Sequence, residues 1–171
     1  MKKIYCYSHP EFDLICHNQG WNDFNIPENS AFISIIGTKE CQDHYLNEKE
    51  DHWFSSGKSN QVLNLEFDDI SNETFSWKGH IFNGISSEQA KEVVDFIESN
   101  INCDFYIHCR AGRSRSQGIV RFMLDMYPTK FEEGRQLENP CISPNYYVVK
   151  QLKRAYYEKN NLWVDENWKE F

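Results

Sequence analysis

The chain has 171 residues, 40% hydrophobic and 26% charged, so it can bury a sizeable core, and we expect a single domain over residues 1–171. Its formal net charge of −8 argues against a general nucleic-acid binder or a protein of anionic membrane surfaces, which carry a basic surplus. No apolar run approaches the roughly 18 residues of a membrane span, so no span is expected. The charge balance reverses locally, because four arginines fall within twelve residues without a carboxylate: Arg110, Arg113, Arg115 and Arg121.

The six cysteines are an even number, as in disulfide-linked proteins, but the N-terminal stretch "MKKIYCYSHPEFD" turns polar at once and contains no secretory signal. We therefore expect reduced thiols and a cytoplasmic protein. No two cysteines have C-x-x-C spacing and no Cys/His group has zinc spacing, so neither a metal nor another cofactor is expected. The cysteines are Cys6, Cys16, Cys41, Cys103, Cys109 and Cys141.

Four short runs rich in β-branched and aromatic residues are predicted strands. They are Lys3–Tyr7, Ala31–Ile36, Gln61–Phe67 and Asp104–His108. The second and fourth runs are almost continuously apolar, which favours central strands covered on both faces. Outside these strands, Lys39–Asn47 is a weaker helix candidate, and "NEKEDHW" is interpreted as a solvated charge run. Asn72–Gly84 and Thr129–Pro140 are interpreted as connections with some local structure.

Two helices follow clear boundary signals. Ser87–Asn100 is predicted as a helix because Ser86 and Gln89 can form a capping box ahead of an apolar stripe of helical spacing. A second helix is predicted from about Arg115 to Tyr127, where Pro128 stops it. Its wide apolar surface indicates a central position in the core.

A third helix is predicted to begin at "SPN", with Ser143 as N-cap and Pro144 as the first helical residue. The alternation of strands and helices predicts an α/β domain with a central, mostly parallel sheet flanked by helices. The tail from about residue 160, "NNLWVDENWKEF", carries three aromatic side chains and either docks on the domain, which is the commoner case, or binds a partner.

The stretch "HCRAGRSRS", residues 108–116, joins the fourth predicted strand to the second predicted helix. Sites in α/β domains form at the carboxyl ends of strands, and the free amides of a helix N-terminus attract anions. Ala111 and Gly112 keep the loop slim, and the guanidinium of Arg115 can hold two phosphate oxygens at once. The same positive surroundings favour the thiolate of Cys109. The pattern therefore predicts a phosphate site with a nucleophile at its base.

These residues resemble the H-C-x5-R-[S/T] loop of the cysteine-based protein tyrosine phosphatase superfamily, and the form H-C-x-A-G-x-S-R-S is most similar to the dual-specificity branch. The resemblance covers about residues 30–160 and implies a phosphatase-type P-loop between a central strand and a helix. It implies that Cys109 is the nucleophile and forms a phosphocysteine intermediate, that Ser116 assists departure of the sulfur, and that His108 supports the loop. It also implies that these loop residues bind the phosphoryl group: Arg110, Ala111, Gly112, Arg113, Ser114 and Arg115.

A phosphatase of this kind also needs a general acid, because expelling an alkoxide or phenoxide is costly unless a proton arrives with it. The resemblance implies an aspartate on a separate loop before the cysteine, and "LNLEFDDIS" offers Asp68 and Asp69. Strand alternation points their side chains in different directions. Similarity to bacterial phosphatases with an F-[DH]-D-I stretch favours Asp69, while Asp68 and Glu73 stay open as alternatives.

The expected function is that of a metal-independent phosphoric monoester hydrolase acting on phosphotyrosine proteins, or with dual specificity, through a cysteinyl-phosphate intermediate. Arg110 and Arg113 leave a polyanionic non-protein substrate open, such as a phosphoinositide, an inositol phosphate or an RNA 5′ end. A phosphate-binding module without turnover and a sulfurtransferase are further alternatives. The sequence does not determine the oligomeric state.

Overall fold

A computed structural model describes residues 1–43, 49–135 and 142–162 of the chain. Its five helices are α1 (His9–Gln19), α2 (Lys39–Cys41), α3 (Ser87–Ser99), α4 (Arg115–Met126) and α5 (Tyr146–Lys159). Its seven strands are β1 (Lys2–Ser8), β2 (Ser30–Ile36), β3 (Val62–Glu66), β4 (Thr74–Trp77), β5 (His80–Asn83), β6 (Asp104–Cys109) and β7 (Phe131–Arg135). No helix in the described ranges is long and apolar enough to cross a membrane.

Five of the strands form one parallel sheet in the order β3-β2-β6-β1-β7, and β4 and β5 form a separate antiparallel hairpin. The predicted α/β class with a mostly parallel central sheet is confirmed. The middle strand, β6, ends at Cys109, which lies opposite Ser8 at the end of β1. The loop that carries the motif therefore starts from the centre of the sheet.

The residues of β2 show why helices cover both faces of the sheet. All seven are buried, and their side chains alternate between two cores as the pleat requires. Ala31, Ile33 and Ile35 belong to the larger core, which is shared with α3, α4 and α5. Phe32 belongs to a smaller aromatic cluster together with Phe12 of α1. Helix α1 thus lies on one face of the sheet, and helices α3, α4 and α5 lie on the other.

The four predicted strands and the helices α3 and α4 are confirmed within one or two residues, and the predicted capping box is present. Ser86 Oγ accepts a hydrogen bond from Gln89 N at 3.1 Å, and Gln89 Oε1 accepts one from Ser86 N at 3.0 Å. Helix α5 is also present, but its predicted start is wrong. Its N-cap is Asn145, whose Oδ1 accepts from Val148 N at 3.2 Å, so Ser143 and Pro144 precede the helix.

Helix α1 is not predicted by the periodicity of the sequence, because Phe12 and Cys16 are its only buried residues. Its boundary signals are nevertheless strong. Ser8 N donates to the Glu11 carboxylate at 2.9 Å, and Gly20 ends the helix with a φ of 67°. A left-handed residue at this position is the usual stop of a helix, and glycine adopts it without strain.

Two segments interpreted as connections contain strands. The hairpin of β4 and β5 lies within Asn72–Gly84, and β7 lies within Thr129–Pro140. All four residues of β4 are exposed, and β7 has the sequence FEEGR, so neither strand carries the apolar pattern of the interior. The predicted helix Lys39–Asn47 is seen as the short α2, while its residues 44–47, and the tail from residue 163, lie outside the described residues.

Candidate active site

The seven residues 109–115, here called the cysteine loop, connect the end of β6 to the first residue of α4. Gly112 has a φ of +68°, a left-handed conformation that side chains disfavour, so glycine lets the loop turn back on itself. The predicted strand, loop and helix order is therefore present, with the loop at the carboxyl end of the central strand.

The thiol of Cys109 lies at the base of a small recess. Its side chain is buried, with only 2% of the residue exposed, and Sγ is 3.1 Å from Ser116 Oγ in the first turn of α4. The recess has a volume of about 260 Å³. Its walls combine the cysteine loop with two other segments of the chain, and its lining residues are Gly37, Cys41, Asp69, Cys109, Arg110, Ala111, Arg113, Ser114 and Arg115.

Arg115 is a buried cation in this recess. The residue is 6% exposed, and one terminal nitrogen donates to the carbonyl oxygen of Phe67 at 2.8 Å. Its Nε is buried and has no hydrogen-bond partner among the described residues. A buried guanidinium without a counter-charge is costly, and an anion in the recess would offset that cost. The recess is therefore suited to a phosphate, which accepts hydrogen bonds on several oxygens.

Asp69 is the carboxylate that faces the recess. Its Oδ1 accepts from Ser114 Oγ at 2.7 Å and from Asn145 Nδ2 at 2.8 Å. These two bonds attach the segment after β3 to the cysteine loop and to the start of α5. The structure thus brings Asp69 together with Cys109 and Arg115, although Asp69 is far from both in the sequence.

Asp68 has different surroundings. It is buried, and its carboxylate accepts from Thr38 N at 2.9 Å, from Thr38 Oγ1 at 2.8 Å and from Asn83 N at 2.9 Å. These contacts join the end of β2 to the end of β5, which is a structural role. Glu73, the third candidate, is exposed at the edge of the hairpin and does not line the recess.

The sequence leaves two interpretations of Pro144-Asn145 open, an ordinary helix start or a role at the site, and it does not indicate which residue Asn145 contacts. Besides capping α5, its side-chain amide donates to Asp69 Oδ1 and, at 3.1 Å, to the carbonyl of Ile70. The "SPN" signal indicates a helix start, but no local pattern indicates which distant residue the free end of the asparagine will contact.

His108 and Cys109 point to opposite faces of the sheet, as neighbours in a strand do. The His108 ring stacks on Phe12 at a centroid distance of 4.2 Å and meets the edge of His9 at 5.1 Å. Burial, the largest cause, lowers the pKa of His108 well below its ordinary value, so the ring is neutral at physiological pH. Both ring contacts are with α1, on the face of the sheet opposite to Cys109.

The rim of the recess carries two arginines with unlike contacts. Arg110 reaches the carboxylate of Glu50 at 3.5 Å, and Arg113 is exposed. Glu50 is buried and also accepts from Gly37 N at 3.1 Å. The interpretation of "NEKEDHW" as a solvated charge run is therefore wrong at Glu50, and also at His52, whose Nδ1 is 2.7 Å from Ser34 Oγ.

The five described cysteines are all free, and Cys141 lies outside the described residues. Cys41 lines the recess, where burial raises its pKa to about 11. Cys6 lies behind the recess and contacts Ser116. Cys103 does not line it, and its nearest polar contact is Asn100. Neither Cys41 nor Cys6 is marked by spacing in the sequence, because Cys41 approaches the site from α2 and Cys6 from β1.

Within the described ranges, no group of three or more His, Cys, Asp or Glu side chains could hold a metal ion. Comparison of the sequence with protein-family models finds no match, and comparison with curated proteins finds none either. The features of this chain that bear on its function are therefore the chemistry of the recess and the motif in residues 108–116.

Proposed function

We propose that this chain is a phosphoric monoester hydrolase of the cysteine-based protein tyrosine phosphatase type, most similar to the dual-specificity branch. One observation carries the proposal. A buried thiol, a buried arginine with an unpartnered Nε and an accessible carboxylate line a single recess of about 260 Å³. These are the nucleophile, the phosphate ligand and the proton donor that such a reaction requires.

In the first step, the Cys109 thiolate attacks phosphorus while the bond between phosphorus and the ester oxygen breaks. Asp69 gives its proton to the departing oxygen, and Arg115 and the loop amides stabilise the charge on the phosphoryl oxygens. In the second step, water attacks the phosphocysteine and the bond between sulfur and phosphorus breaks. Asp69 accepts the proton of that water, and the Ser116 hydroxyl donates a hydrogen bond to the departing sulfur.

The substrate class we assign first is a phosphotyrosine protein, with phosphoserine and phosphothreonine included if specificity is dual. Arg110 and Arg113 on the rim support a second candidate, a polyanionic non-protein ester such as a phosphoinositide or an RNA 5′ end. The ion pair of Arg110 with Glu50 weakens that candidate, because the carboxylate already compensates part of the rim charge. The reaction suits a reducing compartment such as the cytoplasm, since the thiol must stay reduced.

The deciding experiment is turnover of a small aryl phosphate in the presence of a chelator. Wild-type protein should hydrolyse it, and Cys109→Ser should abolish turnover while an oxyanion such as vanadate still binds. Cys103→Ser is the matched control, because that thiol does not line the recess, and it should keep most activity. Equal loss in both variants would contradict a nucleophilic role for Cys109, and no turnover by the wild type would refute the proposed function.

A further inference from the structure

The recess of Cys109 continues into a groove along α5. Asp69 and Ser114 line both the recess and a second cavity of about 550 Å³ beside the first turn of α5. Tyr146 and Lys150 line that cavity and also a third one, of about 520 Å³, between α4 and α5. We call these two adjoining cavities the α5 groove.

The recess and the α5 groove together form a basic surface on an acidic protein. The described residues that line them include six cations and two carboxylates, in a chain whose net charge is −8. The cations are Arg110, Arg113, Arg115, Arg121, Lys150 and Lys153, and the carboxylates are Asp69 and Asp125.

Among the cations that line the groove, Lys150 is the one without an ion pair to a described residue. Arg121 Nε and Lys153 Nζ both bind Asp125, at 2.9 Å and 2.8 Å. Lys150 is exposed and forms no ion pair with a described residue. Beside it, Tyr146 is 68% exposed, a large aromatic surface at the border of the two cavities. A peptide with an acidic side chain next to an apolar one would complement Lys150 and Tyr146.

We propose that the α5 groove binds an acidic segment beside the phosphoresidue of a phosphoprotein substrate, with Lys150 meeting an Asp or Glu and Tyr146 an adjacent apolar side chain. The assignment rests on the proposed function and names its substrate class. A nucleic acid or an anionic bilayer presents negative charge over a large area and is repelled by the rest of this chain, whereas a short acidic peptide meets only the groove.

The test compares two phosphotyrosine peptides of equal length, one with acidic residues beside the phosphotyrosine and one with alanines there. Lys150→Glu should lower kcat/KM for the acidic peptide about tenfold, mainly through KM, and change the alanine peptide less than twofold. The loss should shrink as salt is raised. Lys91→Glu, which reverses an exposed lysine on α3, is the control and should change neither peptide.

Equal losses for both peptides, or none for either, would overturn the groove assignment. Hydrolysis of a 5′-phosphorylated RNA and of a phosphoinositide headgroup is measured in parallel. A loss caused by Lys150→Glu on these substrates alone would also overturn the assignment. If the wild type hydrolyses no aryl phosphate, the proposed function fails. The groove is then tested by fluorescence polarisation with the acidic peptide. The Cys109→Ser variant should bind this peptide, and the double variant Cys109→Ser with Lys150→Glu should bind it about tenfold more weakly.

A different observation carries a second inference, at the thiol itself. Cys6, on β1 behind the cysteine loop, has its Sγ 3.2 Å from Ser116 Oγ, and Ser116 Oγ is 3.1 Å from Cys109 Sγ. All three side chains are buried. Ser116 has a single hydroxyl proton, so it can donate to only one of the two sulfur atoms.

Burial raises the pKa of Cys6 to about 12, so this thiol keeps its proton at neutral pH and can act as a donor. Its alternative acceptor, the carbonyl of Gly112, is farther away at 3.6 Å and already accepts from Gln117 Nε2 at 3.1 Å. The geometry also assigns Cys6 as a positioning residue, which donates its S–H to Ser116 Oγ and so directs the Ser116 O–H toward Cys109 Sγ. This inference rests on the proposed function.

The test is the pH dependence of Cys109 alkylation by iodoacetamide, followed by mass spectrometry at that residue. It needs no turnover, so its failure is distinct from failure of the proposed function. Cys6→Ala and the space-filling Cys6→Val should move the pH midpoint of alkylation up by roughly half a unit, because the thiolate loses an oriented donor. Cys6→Ser, which restores a donor, should return the midpoint toward that of the wild type.

Cys16→Ala removes another buried thiol, from the aromatic cluster on the opposite face, and should leave the midpoint unchanged. The other charged or titratable groups that line the recess are the same in every variant, so they do not contribute to the difference: Arg110, Arg113, Arg115, Asp69 and Cys41. The same holds for His108, the neighbour of Cys109 on β6. An unchanged midpoint in both Cys6→Ala and Cys6→Val, or a Cys6→Ser variant that behaves like them, would overturn the assignment.

Discussion

At the scale of single residues, Asp68 and Asp69 are adjacent in sequence and differ in what their carboxylates can do. Asp68 is saturated with hydrogen bonds from Thr38 and Asn83, whereas Asp69 faces the recess of Cys109. A general acid must be able to reach the substrate to which it gives a proton. Of these two carboxylates, only Asp69 lines the recess. The resemblance to F-[DH]-D-I phosphatases and the contacts in the structure favour the same residue.

We expect Asp69→Asn to slow hydrolysis of phenyl phosphate by about 10²-fold or more, because its leaving group needs a proton. Hydrolysis of an ester with a very acidic leaving group should fall much less. The measurement is kcat across a series of aryl phosphates of increasing leaving-group acidity. Asp68→Asn is the paired variant and should reduce stability without this dependence. If Asp68→Asn shows the leaving-group dependence instead, the assignment of the acid moves by one residue.

Arg115 is the residue at which the shape of the cation matters as well as its charge. Arg115→Lys keeps the charge but loses the planar group that can contact two phosphate oxygens and the Phe67 carbonyl together. We expect kcat/KM for an aryl phosphate to fall about 10²-fold or more. Arg154→Lys, at an exposed arginine on α5 outside the recess and the groove, is the control and should be close to wild type. A mild effect at Arg115 would show that charge alone suffices.

At the scale of elements, the contact between α4 and α5 bears on the position of Asp69, the proposed general acid. Gly118 of α4 lies so close to α5 that a Cβ there would be 2.9 Å from the carbonyl oxygen of Asn145 and 2.9 Å from Val148 Cβ. Asn145 in turn holds Asp69. A glycine in a helix interior therefore allows the close approach that connects the core to the site.

We expect Gly118→Ala to destabilise the protein by about 1–3 kcal/mol through overpacking, and to slow phenyl phosphate more than an ester with an acidic leaving group. Asn145→Ala is the informative comparison, because it removes the cap and the bond to Asp69 without crowding the helices. Thermal unfolding and the leaving-group series measure the two effects. A Gly118→Ala variant with wild-type stability and kinetics would contradict the tight contact.

At the scale of the whole molecule, two neutral histidines, the buried His108 and the half-buried His52, make stability depend on pH. Burial, ahead of the charge of nearby His9, lowers the pKa of His52 to about 4, and the pKa of His108 is also lowered. An unfolded chain binds these protons below about pH 6.5, whereas the folded chain does not until a lower pH. Folding therefore opposes protonation, and the free energy of unfolding falls as pH falls from about 6.5 toward 4.

We expect His52 to contribute about 1–2 kcal/mol of this loss between pH 7 and pH 5, after allowance for its partial exposure to solvent. Urea unfolding at the two pH values measures it. His52→Gln keeps a partner for Ser34 but does not titrate, so its stability should change less with pH than that of the wild type, with the remaining slope due to other groups. Equal pH dependence in the two proteins would contradict the assignment to His52.

The sequence by itself determined the α/β class and the strand–loop–helix order around Cys109. It also located four of the five strands of the sheet, all except β7, to within one or two residues of their ends. These features depend on local signals: apolar runs, a capping box and a glycine-containing loop, which act over a few residues. For the general acid it favoured Asp69 and left Asp68 and Glu73 as alternatives. Helix α1 and strand β7 escaped prediction because their residues lack a clear apolar period and are ordered by the sheet on which they pack.

Only the tertiary structure decided which distant side chains meet. It brings Asp69 to the cysteine loop through Ser114 and Asn145, and brings Cys6 to Ser116. It also buries Glu50 within reach of Arg110. The physical reason is that such contacts are set by strand order and helix packing, which join the carboxyl ends of separate strands at one edge of the sheet. No local periodicity encodes that arrangement.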